Sequence, residues 1–233
     1  MQACILVSDA ATRVLLDCGA TSMVALARAG IAPESIDAIV LSHLHADHFG
    51  GVPLLLLDAA VRPSGRVRPL VVAGAPDTPD RVRQALDASG WSAAWTYAQE
   101  NSLVEFVTLH DRQPTVIAGL AVTCFPVPHN PATSPTALRI EWDGKTIGYS
   151  GDAGWTPSLL EVAADAGLFI CGVWSFATPD PTFLDYRTLL SHRRDLTCKR
   201  LVLTHLGPDM LNHLDDVAAD AVEIAEDGLM LAL

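Results

Sequence analysis

Leu41-Ser42-His43-Leu44-His45-Ala46-Asp47-His48-Phe49-Gly50-Gly51 decides how the rest of this chain reads. The stretch continues an apolar run, Ile39-Val40-Leu41, that reads as a buried strand. Four metal-ligand side chains then fall within six residues. Neutral imidazole and carboxylate are the donors that Zn²⁺ and its first-row neighbours prefer, and a strand-end loop can converge them on one point. Alternate residues of an extended segment point the same way, so His43 and His45 can share one ion. Asp47 and His48 lie past the bend and can face a second. The alternative is a polar loop with surface histidines; this density of ligands in a chain with only eight His argues against it. Gly50-Gly51 is expected to turn the backbone tightly beneath the site, and Val52–Ala60 reads as a buried helix.

Length and composition bound the class. A chain of 233 residues, half of them hydrophobic, can bury a substantial core, and a single α/β domain over residues 1–233 is expected. No apolar stretch approaches the ~20 residues of a membrane span. The start, Met1 to Asp9, lacks the basic region of a secretory signal. Five scattered cysteines argue against a disulfide framework, so a reducing cytoplasm is the expected location and no membrane partner is expected. A net charge of −12 disfavours general nucleic-acid binding, which needs a positive field. Arg62-Arg66-Arg68 and Arg193-Arg194 with Lys199-Arg200 read as solvated faces before they read as anion sites.

Outward from the histidine loop, Ala3–Ser8 and Arg13–Asp17 read as paired strands, and Thr21–Ala29 as a helix stopped by Gly30. Strand Leu70–Ala73 and helix Asp80–Ala88 follow, then Trp91 and Trp95, which either line a substrate mouth or pack in the core. Glu105–Leu109 and Val116–Pro126 supply further strands. Thr136–Trp142 and Thr146–Ser150 form a hairpin across Asp143-Gly144-Lys145. Pro157–Ala166 and Tyr186–Leu196 read as helices; Leu168–Val173 and Leu201–Thr204 read as strands. Val222–Ala225 and Leu229–Leu233 close the chain. His110, His192 and His213 read as surface or structural residues.

The loop matches H-x-H-x-D-H, and the chain resembles the metallo-β-lactamase superfamily, most closely its ribonuclease Z-like and cyclic phosphodiesterase-like branches. Leu16-Asp17-Cys18-Gly19, the His129 segment, Tyr149-Ser150-Gly151-Asp152 and Leu203-Thr204-His205 fall in the expected order. The resemblance implies an αββα four-layer sandwich and two divalent ions. Zn²⁺ suits the donors best, with Mn²⁺ or Fe²⁺ also accepted. His43, His45 and His129 would hold one ion, Asp47, His48 and His205 the other, with Asp152 bridging. Asp17 would orient the histidine loop. Asp47 and Asp152 would be the catalytic carboxylates, Asp47 as proton acceptor. A strand that normally precedes the first hairpin is not seen, so an uncovered sheet edge is expected, with either low solubility or a homodimer through that edge.

The implied reaction is hydrolysis of a small-molecule ester through water shared by the ions, a phosphodiester before a lactone or acyl ester. A metal-binding protein with little catalysis is the third reading. Two departures from the family pattern bear on it: Gly172 stands where a Glu is usual and Phe183 where a His is usual, and neither can shuttle a proton. The span from Ser150 to Leu168 leaves no room for a tRNA-gripping insertion, so tRNA is not the expected substrate.

Overall fold

A computed structural model describes residues 1–62, 68–217 and 222–233, which divide into two compact units, Met1–Leu109 and His110–Leu233. In the first, β1 (Ile5–Ser8) and β2 (Arg13–Leu16) form an antiparallel hairpin, and β2 leads through α1 (Ser22–Arg28) to β3 (Ala38–Val40). The histidine loop contains a short helix, α2 (Ala46–Phe49), and runs into α3 (Gly51–Val61). Next come β4 (Leu70–Gly74), α4 (Thr78–Ala88), α5 (Ser92–Glu100) and β5 (Val104–Thr108). The sheet order is β1-β2-β3-β4-β5, parallel from β2 onward. All three residues of β3 are buried, as a strand flanked by parallel neighbours and covered by helices requires. Helix α3 buries Val52, Leu55, Leu56 and Ala59, one apolar face at helical spacing, and the first three share a core with Leu15, Ile39, Leu70 and Val72.

Gly50-Gly51 does not act as the expected turn: Gly50 has φ −62°, ordinary helical backbone. Space is what Gly51 supplies. Its amide donates to the Cys18 carbonyl at 2.7 Å, and a Cβ there would lie 2.5 Å from the Gly19 carbonyl oxygen. The helix is thereby held against the chain that follows β2.

The second unit begins with β6 (Thr115–Ile117), β7 (Leu120–Pro126), β8 (Thr136–Trp142) and β9 (Lys145–Tyr149). The β8–β9 hairpin turns on Asp143 and Gly144, both at positive φ (50° and 70°), the two-residue geometry expected of that dipeptide. Then follow α6 (Ser158–Ala163), β10 (Leu168–Gly172), α7 (Tyr186–Ser191), β11 (Arg200–Thr204), α8 (Pro208–Leu211) and β12 (Glu223–Ile224). The order is β12-β11-β10-β9-β8-β7-β6, with β6 to β9 antiparallel and β9 to β12 parallel. Phe169, Cys171, Leu201 and Leu203 from the sheet meet Leu159, Val162 and Tyr186 from the helices in one core. The Arg139 guanidinium donates to the Ala164 carbonyl at 2.7 Å, closing α6, and the Asp185 carboxylate accepts from the Thr188 amide, capping α7.

Several boundaries differ from expectation. Ser92–Glu100 is a helix that the sequence did not announce, because its buried face is made of Ala94 and Ala98 rather than large apolar residues. Helix α7 stops at Ser191, five residues early, and Leu229–Leu233 has no regular structure. Arg66 lies outside the described residues, while Arg62 pairs with Asp58 at 2.9 Å and Arg200 forks onto Glu223 at 2.8 Å. No helix among the described residues is long and apolar enough to cross a membrane.

Candidate metal centre

Strands β2 and β3 pair in parallel with Leu16 opposite Val40, so Asp17 emerges beside Leu41 and Ser42. Asp17 takes φ +58°, a left-handed backbone that Asp tolerates better than most residues, and its amide donates to the Val40 carbonyl at 2.9 Å. Its carboxylate is fully buried and collects three hydrogen bonds: from the Ser42 amide, the Ser42 hydroxyl and His48 Nδ1–H, each at 2.7 Å. Burial works against this charge. The field and hydrogen bond of His48, with His43 and Ser42 behind them, outweigh burial and hold the carboxyl below the usual carboxylate range.

That arrangement fixes protons. An ionised carboxylate only accepts, so the Ser42 hydroxyl spends its one hydrogen on Asp17 and must accept from His43 Nδ1, 3.0 Å away. His43 and His48 are thereby both held with a proton on Nδ1, which makes Nε2 the nitrogen that would ligate a metal. His43 Nε2 and His45 Nδ1 approach to 3.1 Å. Two nitrogens held tetrahedrally by bonds of ~2.0–2.1 Å would stand roughly 3.3 Å apart, so this pair fits one ion. Past the bend, His48 Nε2 and Asp47 Oδ2 stand 3.6 Å apart, with His48 fully buried and the Asp47 side chain 41% exposed.

The second unit presents its own half. Because β7–β8 and β8–β9 are antiparallel and β9, β10 and β11 are parallel, β7, β9, β10 and β11 all run the same way. The residues that follow these strands leave at one edge of the sheet: His129 after β7, Asp152 after β9, Gly172 ending β10 and His205 after β11. His129 Nδ1 donates to the Thr182 carbonyl at 2.8 Å, which turns Nε2 toward Asp152. His129 Nε2 lies 3.9 Å and His205 Nε2 3.5 Å from the same Asp152 oxygen. A carboxylate between two imidazole nitrogens is where a group bridging two cations belongs. Gly151 (φ +56°) and His205 (φ +53°) sharpen the two strand-end bends that set this geometry.

The expected ligands thus gather in two sets: His43, His45, Asp47 and His48 in one unit, and His129, Asp152 and His205 in the other. His110 is exposed, His192 stacks on Trp155 at 3.8 Å, and His213 stacks on Phe176 at 4.6 Å, so none of the three joins either set. Trp95 packs on Phe106 against the core of its unit, and Trp91 lies at the exposed start of α5. A tryptophan that does stand beside a candidate ligand histidine is Trp174, 5.6 Å from His205, which the sequence did not single out. Gly172 has no room for the Glu that the family pattern places there, since a Cβ would fall 2.7 Å from the Gly151 carbonyl oxygen. Phe183 packs edge-on against His129 at 4.8 Å.

Both units lie within the span that superposes on solved metallo-β-lactamase-fold proteins. The protein YhfI from Bacillus subtilis, so described, matches with a TM-score of 0.78 and 22% identity, covering 98% of this chain and 90% of that one. A diphosphatase from the PhnP family matches at a TM-score of 0.76 and 21% identity, covering 99% and 83%. The chain has the metallo-β-lactamase fold. Within that class, the family described as Anti-Pycsar protein Apyc1 matches residues 1–228, and the chain belongs to it. The chain is also similar to ribonuclease Z of Mycobacterium marinum, 30% identical over 162 residues, an alignment that takes in 67% of this chain. It spans only 58% of the length of that relative.

Proposed function

We propose that this chain is a dinuclear metal-dependent hydrolase acting on the phosphodiester bond of a small molecule rather than on tRNA. In this reading His43, His45 and His129 hold one divalent ion, Asp47, His48 and His205 the other, and Asp152 lies between them. The observation that carries it is the orientation of the rings: His43, His48 and His129 each have Nδ1 tied to a hydrogen-bond partner, the arrangement in which Nε2 serves as a metal ligand. Each half-set alone is also incomplete. His43 and His45 offer one ion two nitrogens where a stable site needs three or four donors. The similarity to a PhnP-family diphosphatase and to a ribonuclease Z supports phosphorus–oxygen bond cleavage over acyl transfer.

When bound, such an ion pair supplies Lewis acidity, acidifying water and offsetting negative charge at phosphorus. The remaining roles fall to side chains. Asp47, the more exposed carboxylate, takes the proton of the attacking water and passes it to solvent. Asp152, 4% exposed, lies between His129 and His205, where its carboxylate would reach both ions. Zn²⁺ matches the nitrogen-rich donors best; Mn²⁺ and Fe²⁺ remain compatible.

The test is turnover of bis(p-nitrophenyl) phosphate by metal-loaded protein beside a panel of lactones and carboxylic esters. The proposal expects phosphodiester cleavage to lead and to vanish in Asp152→Ala. Lactone turnover without phosphodiester turnover would replace it with an acyl hydrolase. Bound metal with no turnover of any ester would leave a binding protein.

A further inference from the structure

The loop that joins β10 to α7 is tied down at its base. There the Trp174 amide donates to the Leu184 carbonyl and the Tyr186 amide to the Ser175 carbonyl, each at 2.9 Å, so the chain leaves and returns as a closed pair. The Ser175 hydroxyl donates to the Thr178 carbonyl at 2.8 Å, and the Asp209 carboxylate accepts from the Phe176 amide at 2.9 Å. The tip reads Thr178-Pro179-Asp180-Pro181-Thr182. Neither proline has an N–H with which to anchor it. Asp180 does the anchoring instead. Its Oδ1 accepts from the Thr182 amide at 2.7 Å and from the Thr182 hydroxyl at 2.6 Å, and the Phe183 amide faces the same carboxylate. In a planar trans peptide the N–H and C=O point opposite ways. With the Phe183 N–H turned toward Asp180, the Thr182 carbonyl is aimed the other way, at His129, whose Nδ1 donates to it at 2.8 Å. The same tip rests on the chain beyond Asp152: a Cβ on Gly154 would lie 2.1 Å from the Pro181 carbonyl oxygen, and the Gly154 amide donates to the Pro128 carbonyl at 2.7 Å.

We infer that Asp180 is a positioning residue for His129: by holding the Thr182 turn it points the Thr182 carbonyl at Nδ1, and so turns Nε2 toward Asp152 and the ion that His129 would hold. The consequence for metal rests on the metal-dependent hydrolase reading; the orientation of the ring does not. Asp180 itself is exposed and packs in no core, so its role is carried by hydrogen bonds and not by filling space. An amide oxygen can accept what its carboxylate accepts, which separates positioning from any effect of its charge.

The test has two readouts on the full chain. One is solvent exchange of the His129 Nδ1 proton in metal-free protein, followed by NMR with ¹⁵N-labelled histidine and assigned by its loss in His129→Ala. The other is Zn²⁺ affinity by competition with a chromophoric chelator. Asp180→Ala should speed that exchange about 3- to 10-fold, the range that hydrogen bonds of ordinary net strength give. It should also weaken one of two Zn²⁺ ions by up to about 10-fold, the low end of what losing a histidine's direct partner costs, and leave the other unchanged. Thr182→Val, which loses the hydroxyl and keeps the amide, should fall between Asp180→Ala and wild type. Asp180→Asn should stay near wild type in both readouts. Unchanged His129 exchange in Asp180→Ala overturns the inference, and so does Asp180→Asn behaving like Asp180→Ala, because the charge and not the turn would then be acting. Faster His129 exchange in Asp180→Ala, in a protein whose wild type binds no Zn²⁺, leaves the positioning of the ring standing and removes the metal-dependent reading instead.

Discussion

Asp17→Asn is the sharpest perturbation of the proton bookkeeping at the histidine loop. Asn tolerates the left-handed backbone at this position (φ +58°), so the change is confined to the side chain. One amide oxygen can still accept from the Ser42 amide, but an NH₂ then faces both the Ser42 hydroxyl and His48 Nδ1–H. Ser42 must turn its hydrogen away from the new NH₂ and accept from it instead, and a hydrogen turned toward His43 Nδ1 would push the His43 proton to Nε2. His48 can avoid a donor–donor clash only by moving its proton to Nε2, the nitrogen needed for metal. A hydrogen bond to a charged group is worth about 1.5–3 kcal/mol. Loss of a carboxylate behind a metal-binding His typically costs about 10–100-fold in affinity, or about 1.4–2.7 kcal/mol, and the two ranges agree. Because Asp17 serves His43 and His48 at once, both proposed ions should bind about 10–100-fold more weakly. Ser42→Ala should weaken chiefly the ion on the His43 side. A competition titration against a chromophoric Zn²⁺ chelator reads both, with circular dichroism as the control for folding. Folded Asp17→Asn protein that binds metal as tightly as wild type would refute the reasoning.

Three further outcomes are expected. Gly172→Glu should not restore a proton-transferring pair but should destabilise the protein by at least ~1–3 kcal/mol, seen as a lowered Tm, because its Cβ must displace the Gly151 carbonyl 2.7 Å away. Burial raises all five thiols, Cys18 and Cys171 to about 12, so native protein at pH 8 should react with Ellman's reagent at Cys4 if anywhere, and at all five cysteines once unfolded. The unfolded chain ionises these thiols first, so stability should fall as pH rises from the ordinary thiol range toward 12. His192→Ala and His213→Ala should leave metal content and turnover unchanged, while each loses a ring stack worth about 0.5–1.5 kcal/mol of stability by denaturant titration.

Much of this was legible because the chemistry is local. His43, His45, Asp47 and His48 announce themselves in one loop, and Asp17 was expected to orient that loop, as its three hydrogen bonds do. The strands were read within a residue or two wherever apolar runs met strong turns, as at Asp143-Gly144. What the sequence hid depends on distant chain. Helix α5 turns on two alanines whose burial follows from what packs over them. Gly172 looks like a lost Glu until the strand pairing puts the Gly151 carbonyl where a side chain would go. Trp174 has no neighbouring motif; only the approach of Gly207 from beyond β11 holds it beside His205.

The central claim is that the two sets of ligands close on one pair of ions, and an anomalous difference map from crystals of Zn²⁺-loaded protein tests it most directly. The account predicts two peaks about 3.5–4 Å apart. One should touch His43, His45 and His129 and the other Asp47, His48 and His205, with Asp152 reaching both. Peaks bound by only one of the two sets, or a single peak that leaves His129 or His205 uncoordinated, would contradict it.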